Sequence, residues 1–196
     1  MTDTSPKLRL FIACELPAEV LNALAQIQDD LQGAGAEQLR WVRPEGIHLT
    51  LKFLGDVDRA RVDDVITSLQ ACIQPFTIEL NMGNLGSFGG RRPRVVWVGL
   101  DGQTQSLADL AKTVEGALER LGFPAERRPF APHLTLARVR ERATAAERER
   151  LASLIEGYQT PPLPDVSLSR VALIQSILGP GGATYQTITK FPSGPP

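Results

Sequence analysis

Apolar and polar residues alternate along several segments of the chain, which predicts strands, and recur at helical spacing in the segments between them. The predicted strands share period-two alternation or runs of β-branched and aromatic residues, and lie at residues 8–12, 47–53, 76–82, 94–100, 133–137, 166–177 and 183–190. Helical spacing and end signals predict helices near residues 17–31, 58–72, 107–121 and 144–156. Thr144 and Glu147 form the sequence signature of a capping box at the last of these.

The order of these elements is mixed, without strict strand–helix–strand alternation, so we predict an α+β fold. The glycine-rich segment 83–93 is predicted to be a loop, and residues 179–182 a glycine turn. A helix, a His-Leu-Thr-Leu strand, a helix and a β-rich segment occur once in each half, with no long linker between the halves. We therefore expect one domain over residues 1–191, made of two lobes that share a cleft, and a loose tail over residues 192–196.

The chain has only two histidines, His48 and His133, and each begins the tetrapeptide His-Leu-Thr-Leu. Residues two apart in a strand point to the same face, so each histidine shares a face with the threonine that follows it, Thr50 or Thr135. The leucines point to the opposite face and anchor each strand in the core. An imidazole and a hydroxyl are therefore presented together at two places in the chain.

Paired imidazoles suit proton transfer, because a pKa of about 6.5 makes both protonation states available near neutral pH. A threonine hydroxyl can hydrogen-bond a phosphoryl oxygen. In-line displacement at phosphorus removes a proton on one side and delivers one on the other. The two motifs together therefore favour chemistry on a phosphodiester, although one such motif alone is typical of an ordinary half-buried strand.

Composition and charge limit the classes of protein to which the chain can belong. With 42% hydrophobic and 22% charged residues among 196, the chain is typical of soluble globular proteins. Lys and Arg number 21 against 22 Asp and Glu, which excludes a generally basic nucleic-acid binder but not a local basic patch. No apolar stretch approaches the roughly 20 residues that span a membrane.

The sequence does not contain the motifs that indicate other kinds of site, such as metal, nucleophile or ATP-binding sites. Cys14 and Cys72 are far apart, which indicates neither a disulfide framework nor a zinc site and favours a reducing cytoplasm. The sequence contains no metal-binding histidine or cysteine cluster, no G-x-S-x-G nucleophile elbow and no P-loop. We therefore expect no metal and no cofactor.

The motifs and their flanks resemble those of the 2H phosphoesterases, and within them the bacterial and archaeal RNA 2′,3′-cyclic phosphodiesterases, also called the 2′-5′ RNA ligase family. The resemblance covers nearly the whole chain, from Arg-Leu-Phe-Ile-Ala at residues 9–13 to Gly-Gly-Ala-Thr-Tyr at residues 181–185. It is densest at residues 128–138, Arg-Pro-Phe-Ala-Pro-His-Leu-Thr-Leu-Ala-Arg. Two H-x-T-x motifs in these flanks are a specific signal.

The resemblance implies two lobes with pseudo-twofold symmetry, antiparallel sheets flanking a central cleft, and helices on the outside. It also implies metal-independent hydrolysis of an RNA 2′,3′-cyclic phosphate to a 2′-phosphomonoester. By motif position, His48 is expected to donate a proton to the leaving 3′-oxygen, and His133 to accept one from water. Thr50 and Thr135 are expected to hold the phosphate. The motifs are identical, so the residues alone leave open which histidine is the acid.

Three basic residues near the motifs are candidate substrate contacts. The resemblance favours a phosphate or base contact for Arg138 and for Arg128, against solvated arginines. Strict alternation places Arg138 opposite His133, so it would have to curl around the strand end. Lys52 shares the predicted face of His48, where its charge would attract phosphate.

Aromatic residues supply candidates for stacking on a base. These are Phe11, for which core packing is the alternative, and Tyr185. Trp41 and Trp97 are interpreted as structural.

Three other functions remain open from the sequence. The same cleft could join a cyclic-phosphate end to a 5′-hydroxyl end, as a 2′-5′ RNA ligase. The chain could be a non-catalytic module that binds RNA ends, or a phosphodiesterase for small cyclic nucleotides. In the interpretation we favour, the partner is RNA with a 2′,3′-cyclic phosphate end, no membrane is involved, and the protein is a monomer.

Overall fold

A computed structural model describes residues 6–180 and 182–192. Gly181 of the predicted turn and residues 193–196 of the predicted tail lie outside the described residues. The elements, in chain order, are β1 (Lys7–Cys14), α1 (Ala18–Gly33), β2 (Leu39–Trp41), β3 (Leu49–Asp58), α2 (Val62–Cys72), β4 (Ile78–Phe88), β5 (Val95–Gly102), α3 (Thr104–Glu119), β6 (His133–Val139), α4 (Ala145–Gly157), β7 (Asp165–Leu168), β8 (Val171–Gly179) and β9 (Gly182–Phe191).

The strands form two antiparallel sheets. The first has the order β3-β1-β8-β9 and the second the order β2-β6-β5-β4-β7. The two motif strands, β3 and β6, approach within 8 Å between Cα atoms, so they meet where the sheets adjoin. The predicted α+β fold with antiparallel sheets is confirmed.

The two sheets are related by a repeated order of elements. The strand order of the first sheet is β3-β1-β8-β9. The corresponding strands of the second sheet, in the same order, are β6-β5-β4-β7. α1 lies between β1 and β3 in the chain, as α3 lies between β5 and β6. The short strand β2 has no counterpart and adds an edge beside β6.

The helices α1 and α3 cross between the sheets. α1 follows β1 of the first sheet but contacts the second sheet, and α3 follows β5 of the second sheet but contacts the first. Gln28 of α1 hydrogen-bonds the carbonyl of Leu136 in β6, and Glu115 of α3 forms an ion pair with Lys52 in β3. The main cluster of buried apolar side chains runs through both sheets and their helices. These crossings connect each half of the chain to the motif strand of the other half.

Local signals in the sequence place several helix ends correctly. The capping box before α4 is formed: Thr144 Oγ1 accepts from the backbone N–H of Glu147 at 3.3 Å, and the Glu147 carboxylate accepts from the backbone N–H of Thr144 at 2.6 Å. The helix ends at Gly157, as predicted. The helix predicted from residue 58 begins only at Val62, because β3 continues to Asp58.

The prediction of a loop over residues 83–93 is wrong in its first half. β4 continues through the glycines to Phe88. Gly86 pairs with Trp97, and a Cβ at Gly86 would lie 2.4 Å from the indole ring. The glycine makes room for a close approach inside the strand rather than ending it.

The prediction of one strand over residues 166–177 is also wrong. The segment divides into β7, which pairs with β4, and β8, which pairs with β1 in the other sheet. Strand β2 is absent from the predicted elements because three residues are too few to show alternation.

Candidate active site

The two histidines have the same local geometry. His48 Nδ1 donates to the carbonyl of Gly46 at 2.7 Å, and His133 Nδ1 donates to the carbonyl of Ala131 at 2.7 Å. A carbonyl oxygen only accepts, so the hydrogen lies on Nδ1 and a neutral ring carries its lone pair on Nε2. Each imidazole therefore offers Nε2 to a ligand.

The threonines lie on the same faces as these histidines. Thr50 pairs with Ala13 of β1, and Thr135 pairs with Trp97 of β5. Both are half-buried, while the leucine between each histidine and threonine is fully buried on the core side. The pairing of hydroxyl with imidazole expected from alternation is therefore confirmed in both strands.

A β-bulge reverses the alternation of β3 after Thr50. Consecutive residues of β1 pair with Thr50 and Lys52, which leaves Leu51 as the extra residue. Phe53 rather than Lys52 consequently returns to the face of His48.

The prediction that Lys52 faces phosphate is therefore wrong. Its side chain is 3% exposed and lies on the core side, where Nζ is 2.7 Å from Glu115 Oε1 and donates to the carbonyl of Pro124 at 2.8 Å. Glu115 Oε1 also accepts from the backbone N–H of Glu126 at 2.8 Å. Lys52 thus ties β3 to α3 and to the loop that leads into the second motif.

A second β-bulge lies at the equivalent position of β6. Consecutive residues of β5 pair with Thr135 and Ala137, which leaves Leu136 as the extra residue. Arg138 consequently lies on the same face as His133. The expectation from strict alternation, that Arg138 lies opposite His133 and has to curl around the strand end, is wrong.

Gln28 of α1 holds the bulge in β6. Its side-chain amide is buried and donates to the carbonyl of Leu136 at 2.9 Å and to that of Val42 at 2.8 Å. The Leu136 carbonyl also accepts from the backbone N–H of Val42 at 2.8 Å. The face on which Arg138 lies thus depends on a side chain from the other half of the chain.

Aromatic rings enclose His48. The centroid of Phe11 lies 4.6 Å from that of the imidazole, and the ring of Tyr185 meets the imidazole edge-on at 5.0 Å. Burial lowers the pKa of His48 from its usual 6.5, and the hydrogen bond to Gly46 opposes this shift. Phe11 is 2% exposed, so its predicted role in stacking on a base is wrong, whereas Tyr185 is 38% exposed.

His133 has aromatic neighbours that the sequence analysis did not assign to the site. The ring of Phe88 meets the imidazole edge-on at 4.8 Å, and Trp97 lies at 6.4 Å between centroids. Phe88 falls in the segment predicted as a loop, and Trp97 was interpreted as structural. Strict alternation along β4 would have assigned Phe88 to the core face, because a β-bulge between Met82 and Leu85 exchanges the faces of the residues that follow.

Arg128 lies in the loop before β6. Its side chain is 87% exposed, and Nε is 3.5 Å from a carboxylate oxygen of Glu126. Arg128 lines neither of the two cavities beside Tyr185. The contact of Arg128 with substrate stays a prediction.

Two cavities adjoin Tyr185. One, of about 250 Å³, is lined by Arg138 and by residues of β2 and the start of β9. The other, of about 220 Å³, includes His48 in its lining. Glu45, Gly46 and Tyr185 line both cavities.

Features of metal and membrane proteins are absent from residues 6–180 and 182–192. In these residues no three or more His, Cys, Asp or Glu side chains are grouped as a metal site would need. Cys14 and Cys72 are both free thiols, and burial raises the pKa of Cys14 to about 12. No helix in this part of the chain is long and apolar enough to cross a membrane.

A family model described as the 2′-5′ RNA ligase superfamily matches residues 16–179. The chain belongs to this superfamily. It is 33% identical over 189 residues to a relative from Methanothermobacter thermautotrophicus named RNA 2′,3′-cyclic phosphodiesterase, covering 94% of this chain and 98% of the relative. A relative of the same name from Methanocaldococcus jannaschii is 30% identical, covering 94% and 100%.

Solved structures of similar proteins have the same fold. Escherichia coli LigT in apo form has a TM-score of 0.72 with 26% identity, over 94% of this chain and 96% of that one. The Thermus thermophilus protein TT0787 has a TM-score of 0.73 with 27% identity, over 94% and 97%. LigT has also been crystallised with 3′-AMP and with phosphate. This superfamily member therefore shares its two-sheet architecture with a protein that binds a nucleotide.

Proposed function

We propose that this member of the 2′-5′ RNA ligase superfamily hydrolyses RNA 2′,3′-cyclic phosphate ends to 2′-phosphomonoesters, with His48 and His133 as acid and base. The observation that carries the proposal is the matched pair of imidazoles, each fixed through Nδ1 and each beside a threonine. The relatives named RNA 2′,3′-cyclic phosphodiesterase support the substrate class.

In the proposed step, Nε2 of neutral His133 removes a proton from water as its oxygen attacks phosphorus. The bond between phosphorus and the 3′-oxygen breaks, and Nε2–H of protonated His48 delivers a proton to that oxygen. The products are a 2′-phosphomonoester and a 3′-hydroxyl, and proton exchange with solvent restores both imidazoles. Each proton transfer contributes a factor of about 10² to 10⁴ in rate.

The phosphate needs donors that neutralise its charge during displacement. In this proposal the hydroxyls of Thr50 and Thr135 donate to its two non-bridging oxygens. The guanidinium of Arg138, on the face of His133, adds a charge-assisted contact. Burial disfavours the charged form of His48 in the free protein, and the bound phosphate anion favours it.

The test is product analysis on a short RNA that ends in a 2′,3′-cyclic phosphate, with chelator present. We expect a monoester at the 2′ position, and a loss of about 10² to 10⁴ in rate in His48→Ala and in His133→Ala. Thr113→Ala, which removes an exposed hydroxyl on α3, is the control and should keep full activity. A 3′-monoester, or full activity in either histidine variant, would contradict the proposal.

A second function, 2′-5′ ligation, is favoured by the description of the matching family model. A 5′-hydroxyl in place of water would attack the same phosphorus and form a 2′-5′ linkage. Adding an RNA with a 5′-hydroxyl to the same assay separates the two functions, and we expect hydrolysis to dominate because water is in large excess. A ligated strand as the main product would assign the chain as a ligase, and tight binding without turnover would assign it as an RNA-end binder.

A further inference from the structure

Arg40 and Arg138 lie directly opposite each other on neighbouring strands. Arg40 of β2 is the antiparallel partner of Arg138 of β6, and both side chains are exposed. Directly opposite residues share a face, with Cβ atoms about 4.5–5.5 Å apart, and like charges in this arrangement destabilise the pair. Two guanidinium groups placed this way favour an anion between or beside them.

In the part of the chain that the structure describes, ion pairs do not neutralise these arginines. Neither Arg40 nor Arg138, nor the nearby Arg43, takes part in any of the ion pairs found among residues 6–180 and 182–192. All three line the cavity of about 250 Å³, together with one carboxylate, that of Glu45. Three positive charges against one negative charge give this cavity a net attraction for phosphate.

The cavity also has an aromatic residue in its lining and is next to the proposed reaction centre. Tyr185 lines it, and an aromatic ring is the usual platform for an unstacked RNA base, whereas Trp41 packs against the core on the opposite face of β2 from Arg40. The ring of Tyr185 meets that of His48 edge-on, at 5.0 Å between centroids. A strand leaving the catalytic cleft through this cavity would have its backbone beside Arg40.

The neighbouring cavity is a poorer exit for RNA. Its lining includes His48, Tyr185, Thr187 and the carboxylates of Glu15 and Glu45, but no arginine or lysine. Glu15 is paired with Lys190, so Glu45, which lines both cavities, is left to repel a phosphate here without arginines in the lining to outweigh it. Of the two cavities that adjoin Tyr185, the one with Arg40 has the positively charged lining that favours an RNA backbone.

We propose that Arg40 binds the phosphodiester on the 5′ side of the terminal nucleotide, so that this cavity is an upstream subsite for the RNA strand. The inference rests on the proposed function, because it takes the 2′,3′-cyclic phosphate to lie between the histidines. A nucleoside 2′,3′-cyclic phosphate lacks this upstream phosphodiester, and a dinucleotide with the same end has it. The enzyme should therefore prefer the dinucleotide.

The upstream phosphodiester does not change during the reaction, so its contact lowers KM without raising kcat. Arg40→Gln should raise KM for the dinucleotide by about tenfold, the effect of one lost charge-assisted hydrogen bond, and leave the mononucleotide unaffected. The salt dependence of dinucleotide binding should also weaken, by about 0.7 in the slope of log K against log salt, since one single-strand phosphate contact is lost.

Two matched variants complete the experiment. Arg59→Gln removes an exposed arginine at the far end of β3 and should behave as wild type on both substrates. Arg138→Gln should lose activity on both substrates, because Arg138 is proposed to contact the reacting phosphate. An equal loss on both substrates in Arg40→Gln, or no loss on either, would overturn the upstream subsite.

Binding measurements separate failure of this inference from failure of the proposed function. The probes are a mononucleotide and a dinucleotide that each carry a 2′-phosphate, titrated into wild type and Arg40→Gln. Weaker binding of only the dinucleotide in Arg40→Gln supports the subsite even if the wild type hydrolyses neither cyclic substrate. Equal binding of both probes in both proteins overturns the subsite and leaves hydrolysis to be judged on its own assay.

Discussion

At the scale of single residues, His48 and His133 share a motif and a hydrogen-bond pattern but have different surroundings. His48 packs against Phe11 and Tyr185, and burial there lowers its pKa from the usual 6.5. The identical tetrapeptides do not predict this difference in burial, because it is caused by residues of β1 and β9. The environment of each imidazole could not be predicted from its motif.

The lowered pKa of His48 makes a prediction for the pH dependence of the reaction. A proton donor has to be protonated in the free enzyme, so kcat/KM should fall as pH rises through the pKa of His48. That falling limb should lie below pH 6.5. Tyr185→Ala exposes the imidazole to water and should move the limb upward, toward 6.5.

The measurement is the pH profile of kcat/KM in both proteins, beside an NMR titration of the two histidines. His133→Asn identifies the His48 resonance, since the chain has only two histidines. A wild-type limb above pH 6.5, or one that Tyr185→Ala leaves in place, would contradict the account of His48.

At the scale of elements, the sequence predicts which strands carry the site but not how their side chains are arranged beyond the threonines. Each motif strand has a β-bulge at its second leucine, which exchanges the faces of the residues that follow. Strict alternation therefore assigns Lys52 and Arg138 to the wrong faces. The Leu136 bulge is held by Gln28, 108 positions away in the chain, so no local pattern reveals it.

The burial of Lys52 makes a prediction for stability. Lys52→Met leaves the partly buried Glu115 carboxylate without its cation, and should lower the free energy of unfolding by about 2–3 kcal/mol. Lys112→Met, which removes an exposed lysine from a surface ion pair with Asp109, is the matched control and should cost less than about 0.5 kcal/mol. Denaturant unfolding of both variants gives the two values.

A second variant separates the structural role of Lys52 from phosphate binding. Lys52→Met with Glu115→Leu removes both charges and should recover part of the lost stability. If Lys52→Met instead unfolded like wild type but bound a 2′-phosphorylated nucleotide more weakly, Lys52 would face the cleft after all.

At the scale of the whole molecule, the order of elements that the sequence repeats in its two halves corresponds to two similar sheets, each of which supplies one motif strand. The halves are not independent, because α1 and α3 each contact the opposite sheet through Gln28 and Glu115. The sequence predicts the repeated order of elements and the α+β class. It could not predict that β8 joins β1 while β7 joins β4, since that division is decided by long-range pairing. That residues 1–191 act as one domain, and that the protein is a monomer, stay predictions.

The central claim, that His48 and His133 act as acid and base on one phosphate, is tested most directly by changing the leaving group. The substrate is an RNA end whose 2′,3′-cyclic phosphate has sulfur in place of the 3′-oxygen. A thiolate, with a thiol pKa of about 8.5, departs without a proton. We expect His48→Ala to approach wild-type rates on this substrate, within about tenfold, while His133→Ala stays impaired by a factor of about 10² or more. Rescue of His133→Ala instead, or of neither variant, would contradict the account.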